Sequence, residues 1–125
     1  MAKILHPKLS YELTGICFKI HRELGRFCRE KQYADALELA LKQKQIPHRR
    51  EFELNNKEIK GNRLDFLIDG KIILDLKAKN FITKDDYNQM QRYLQISNLE
   101  LGLIVNFRST YLKPKRILNT KMASK

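Results

Sequence analysis

The chain has 125 residues, enough for one domain with a real buried core and no need of disulfides or metal to staple it. Its 25 Lys and Arg against 14 Asp and Glu give a formal charge of +11 and a pI near 9.8, which favours a polyanionic partner, nucleic acid first. It shows no long apolar run, no lipidation motif and no apolar N-terminal stretch of signal length, so the expectation is a cytoplasmic protein without membrane attachment.

From Pro7 to about Leu24, the residues Leu9, Leu13, Ile16, Cys17, Ile20 and Leu24 recur at helical spacing, and Gly25 suits a stop. Cys17 on that stripe reads as a core filler, and Cys28 forms no CxxC pair with it, in keeping with a reduced compartment. His21 has no second ligand at metal spacing and reads as a helix-surface residue. A second helix is expected from about Arg29 to Lys44, burying Tyr33, Ala36, Leu37, Ala40 and Leu41, with Ile46-Pro47 ending the segment. Glu30 lies near its N-terminus, where the helix dipole by itself favours a carboxylate. A strand from about His48 to Leu54 follows, then an Asn55-Asn56 turn and a short return through Ile59 to Gly61. Its Arg49-Arg50 pair either contacts phosphate or forms a charged strand edge.

The stretch from Arg63 to Lys79 then reads as two strands joined at Asp69-Gly70. If Asp65 pairs with Asp75, then Leu64, Phe66, Ile68, Ile72, Leu74 and Leu76 share one face. The other face carries Asp65, Asp75 and Lys77, with Leu67 and Ile73 around them. A two-residue turn would scatter the apolar set over both faces, so a three-residue loop or a bulge is expected. Asp75 interrupts an apolar run, and a carboxylate buried without a metal or cationic partner costs several kcal/mol. Asp65 opposite would lie about 5 Å away, Cβ to Cβ, and Lys77 roughly 6.6 Å along the same face. Two carboxylates beside an ammonium suit a divalent-ion phosphodiesterase, since Mg²⁺ takes a carboxylate or two, water and phosphate oxygens. An Asp75–Lys77 ion pair on a solvated face is the alternative that spacing leaves open.

Thr83, with Asp86 three residues on, resembles a helix N-cap, and a helix should run from there to about Ile96 with Tyr87, Met90 and Leu94 on its core face. Gln89 and Tyr93 are four apart and share a face. Leu101 to Phe107 is nearly all apolar and reads as a strand buried on both faces. Tyr111 to Leu118 reads as an edge strand, because Pro114 argues against a central one. The expected unit is one domain over residues 1–118, with 119–125 a basic, flexible tail. This alternation predicts an α/β fold, a mixed central sheet flanked by helices in the order α-α-β-β-β-α-β with a final edge strand.

Asp65, nine intervening residues, then Asp75-Leu76-Lys77 resembles the motif of the PD-(D/E)XK, restriction-endonuclease-like nuclease superfamily, with Leu64 where the name-giving Pro would stand. Gln89-Met-Gln-Arg-Tyr93 resembles the Gln-x-x-x-Tyr element of its RecB-like members. More closely, Leu9 to Leu118 is similar to the small bacterial GxxExxY proteins, through His21–Gly25, Glu30–Leu37, Arg63–Phe66, Asp75–Ala78, Gln89–Leu94 and Leu101–Phe107. The Glu of that name matches Glu30, followed by Tyr33, while its first Gly falls on Phe27. The resemblance implies a restriction-endonuclease-like core and a metal-dependent nuclease acting on nucleic acid, DNA before RNA. It implies Asp65 and Asp75 as ligands of Mg²⁺ or Mn²⁺ with Glu30 as a third, directly or through water, Lys77 positioning or deprotonating the attacking water, Gln89 orienting substrate or Lys77, and Tyr93 in support. Arg49, Arg50, Lys79 and Arg92 are the candidate nucleic-acid contacts, and cutting both strands of a duplex would need a homodimer. The alternative is a nucleic-acid-binding module that keeps the nuclease fold without turnover.

Overall fold

A computed structural model describes residues 5–54 and 63–123. The expected Asn55-Asn56 turn and the return to Gly61 lie outside the described residues. Two helices come first, α1 (Pro7–Leu24) and α2 (Glu30–Gln43), followed by strands β1 (His48–Glu53), β2 (Arg63–Ile68) and β3 (Ile72–Lys77). Then come α3 (Lys84–Ser97), β4 (Leu101–Asn106), β5 (Lys115–Leu118) and the short α4 (Thr120–Ala123). The strands form one mixed sheet in the order β1-β2-β3-β4-β5. Only β3 and β4 run parallel, joined by the α3 crossover, and the other neighbours are antiparallel. The α/β fold expected from the alternation of periods is the fold observed, with restriction-endonuclease-like topology.

The sheet separates two cores. Leu13, Ile16, Cys17 and Ile20 of α1 and Tyr33, Leu37 and Leu41 of α2 pack on Phe66, Ile68, Ile72, Leu74, Leu76, Leu103 and Val105. On the opposite face, Met90, Tyr93 and Leu94 of α3 pack on Ile73, Ile104 and Ile117. A Cβ at Gly102 would collide with the Met90 thioether, so the missing side chain lets α3 lie close to β4. Cys17 is fully buried, and burial pushes its thiol up to about 12, the behaviour of a core filler. His21 departs from its expected surface position: it is half-buried, its Nε2 lies 2.9 Å from the Ser109 carbonyl, and its ring is near Phe107.

The hairpin register follows burial rather than the turn dipeptide. Phe66 pairs with Leu74, Leu67 with Ile73 and Ile68 with Ile72, which leaves a three-residue loop at Asp69, Gly70 and Lys71. Asp69 and Gly70 are both left-handed there, with φ of 51° and 62°. One expectation fails at Leu64, which joins the α3-side core instead of sharing a face with Phe66. The cause lies on β1. Arg50 pairs with Phe66 and Phe52 with Leu64, but Glu51 between them has φ 53° and the Glu51/Asp65 rung is missing. A left-handed residue inside a strand turns the following side chain over. Arg50 therefore reaches Asp35 and Glu38 on α2, while Phe52 packs on the α3 side, and Leu64 turns over with it.

Candidate active site

Asp65 occupies the rung where β1, β2 and β3 come apart. Its Oδ2 accepts the Leu76 backbone N–H at 2.8 Å, so the carboxylate replaces a ladder carbonyl. A cavity of about 240 Å³ opens beside it, lined by Glu30, Lys31, Arg50, Glu51, Asp65 and Leu76 among others. Asp75 and Lys77 are not in that lining. They continue the Ile73 face toward α3, and Asp65 is the residue that belongs to both places. Asp75 and Lys77 lie opposite Ile104 and Asn106, at the carboxyl end of the parallel pair, where open α/β sheets bind ligands.

Asp75 is only 7% exposed. Burial pushes its carboxyl up to about 8, helped by a hydrogen bond and charge repulsion from Asp65 and opposed by Lys77. Lys77 Nζ lies 3.2 Å from Asp75 Oδ2 and 3.8 Å from Asp86 Oδ1. Burial would lower the Lys77 pKa, but Asp75, Asp86 and Asp65 together raise it, so the side chain is an ammonium. Asp86 also meets Lys79 Nζ at 2.5 Å while its Oδ2 accepts the Thr83 backbone N–H at 2.7 Å in the cap of α3. Burial works against ionisation of Asp86, yet Lys79, the Thr83 hydrogen bonds and Lys77 outweigh it and hold its pKa low. Asp86 is a member of this cluster that the sequence presents only as a capping residue.

Glu30 begins α2 at the exposed rim of the cavity. Partial loss of hydration and then the Asp65 charge raise its pKa, with Lys77 and Lys79 acting the other way. Its loop is fixed by Tyr33, whose hydroxyl donates to the Gly25 carbonyl at 2.5 Å and accepts the Cys28 N–H at 3.2 Å. The Tyr33 ring stacks on Phe107, with centroids 4.2 Å apart. Asn106 serves a similar purpose at the strand ends: its side chain donates to the Lys79 carbonyl and accepts from the Lys79 and Arg108 N–H groups. Neither role was visible in residue spacing, because both depend on contacts between distant loops.

The remaining candidates are dispersed. Tyr93 is buried on α3, and burial and then the Asp75 charge raise its pKa. Gln89 is half-buried one turn earlier and has no hydrogen-bond partner among the described residues. Arg49 is exposed and lies over Phe52, Arg92 lies over the Tyr93 ring, and Arg50 is engaged in ion pairs with Asp35 and Glu38. None of these residues lines the larger, mostly apolar groove of about 830 Å³ between α1 and α2.

Among the described residues, no group of three or more His, Cys, Asp or Glu stands together as a ready-made metal cage. Asp65 and Asp75 are the two carboxylates that could hold a divalent ion, and burial and Asp65 together raise the Asp75 pKa. Two carboxylates with the remaining positions open suit Mg²⁺, which keeps waters and takes phosphate oxygens. Among the described residues, no helix is long and apolar enough to cross a membrane.

Comparison with known proteins adds one finding. The family model of the PD-(D/E)XK nuclease superfamily matches residues 7–117. No curated protein and no solved structure gave a match.

Proposed function

The chain belongs to the PD-(D/E)XK nuclease superfamily, and from that premise we propose that it hydrolyses phosphodiester bonds in nucleic acid, DNA before RNA. The observation that carries this reading is Asp75, buried against Asp65 with the Lys77 ammonium 3.2 Å away at the open end of the parallel strands. Asp65 and Asp75 would hold Mg²⁺ or Mn²⁺, with Glu30 reaching it through water. Bound there, the ion supplies charge stabilisation for the phosphate and a more acidic water. Lys77 would position or deprotonate the attacking water, and as an ammonium it can donate hydrogen bonds to that water or to the scissile phosphate. Asp86 positions Lys77 and Lys79 from the N-terminal turn of α3. Gln89 is left to orient substrate, and Tyr93 supports the face on which Asp75 stands. The Glu30–Tyr33 spacing and the loop that Tyr33 pins support placing the chain with the GxxExxY proteins inside the superfamily. Cutting both strands of a duplex would take two copies.

A second reading, nucleic-acid binding on the same fold without turnover, draws on the lack of a three-residue metal cage among the described residues. A cleavage assay with Mg²⁺ or Mn²⁺ on single-stranded, duplex and branched DNA separates the two. Wild-type protein should cut, and folded Asp75→Ala should lose cleavage by a factor of at least about 10² while still binding DNA. Equal cleavage by Asp75→Ala would exclude the assignment, and binding without any cleavage by wild type would favour the second reading.

A further inference from the structure

We propose that the loop between α1 and α2, latched to the segment after β4, forms a stacking platform for unpaired nucleotides centred on Phe27, with Phe81 in the loop after β3 as a second ring. Phe27 is 75% exposed and Phe81 is 78% exposed, so both rings are open to a stacking partner. Two guanidinium groups lie near the Phe27 ring. The Arg26 guanidinium lies 4.7 Å from its centroid and that of Arg108 lies 5.6 Å away. Those arginines also latch the two loops together: Arg26 Nε donates to the Arg108 carbonyl at 2.7 Å, and Arg108 Nε donates to the Arg26 carbonyl at 2.8 Å. From beneath, Tyr33 fixes Gly25 and Cys28 and stacks on Phe107. The ring is therefore presented by a braced loop rather than a loose one.

Its position matters as much as its rigidity. Phe27 precedes Glu30 by three residues, and Arg108 follows Asn106, the register partner of Lys77, by two. Phe81 comes four residues after Lys77, between Lys79 and Lys84. Aromatic rings interleaved with Lys and Arg, a few residues from Glu30 and Lys77 in the chain, match what a single strand offers, a π face on each base and a phosphate between bases. A duplex hides its base faces and offers phosphates and groove edges, neither of which stacks on a ring. The platform thus selects a strand that is already unpaired, or unpaired at the point of entry. Its bearing on which strand is cut rests on the nucleolytic reading above, while the binding itself does not.

The chain contains no tryptophan, so Phe27→Trp introduces a single selectively excited indole at the platform. With chelator present to prevent turnover, the protein is titrated with a thymidine oligonucleotide of about 15 residues and with a duplex of the same length. The single strand should quench the new fluorescence. Phe27→Ala should weaken single-strand binding about tenfold and leave duplex binding within about twofold, while Phe18→Ala, at an exposed ring on α1, should change neither. Absent single-strand binding, an unaffected Phe27→Ala, or an equal loss on both nucleic acids would overturn the inference. Failure to cleave any substrate would count against the nuclease instead and leave this result standing.

Discussion

Asp75 is the residue on which the site's electrostatics turn. Burial, then Asp65, push its carboxyl up to about 8, because they penalise the anion more than Lys77 rewards it. Between its ordinary value near 3.8 and about 8, the folded chain keeps a proton that the unfolded chain has released. Stability from this group is therefore lost as pH rises through that window. With chelator present, the melting temperature of wild type should fall relative to Asp75→Asn by a few degrees or more between about pH 5 and pH 8. Parallel pH profiles for the two proteins would show that Asp75 is not held protonated. Asp65, Asp75 and Lys77 were legible in the sequence because strand alternation places charges on a face that Leu67 and Ile73 mark as covered. Asp86 was not, since a carboxylate three residues after Thr83 is fully accounted for as a cap.

At the scale of elements, the site depends on two devices that open the sheet and brace a loop. Glu51 in the left-handed region breaks the ladder opposite Asp65 and frees its carboxylate for the Leu76 N–H and the cavity. Glycine there would have signalled the turnover of Leu64, whereas a glutamate leaves no mark in the sequence. Helix bounds were easier to read. Apolar spacing and Gly25 set the limits of α1, and the Thr83 cap set the start of α3. The brace is Tyr33, which looked like one more core residue of α2. Tyr33→Phe keeps the ring stack on Phe107 but removes the hydroxyl that serves Gly25 and Cys28. It should cost about 1–2 kcal/mol in denaturant unfolding, because the Cys28 N–H and Gly25 carbonyl lose their partner. Unchanged stability would mean that the 25–29 loop is held by other contacts.

For the whole molecule, one sheet with helices on both faces brings three remote segments to the same end. The N-terminus of α2 brings Glu30, the ends of β3 and β4 bring Asp75, Lys77 and Asn106, and the start of α3 brings Asp86. The helix–strand order alone predicted this architecture, since only a crossover helix can join β3 to a parallel β4. The excess of positive charge favours polyanions at the surface, and on the proposed reading Asp65 and Asp75 would hold a phosphate only through a divalent ion between them. That last step is the centre of the account. It is tested most directly by calorimetric titration of Mn²⁺ into wild type and Asp75→Ala, in parallel with and without a DNA oligonucleotide. One site is expected in wild type, strengthened by DNA and lost in Asp75→Ala; equal Mn²⁺ binding by the two proteins, or none by wild type even with DNA present, would contradict a metal held by Asp65 and Asp75.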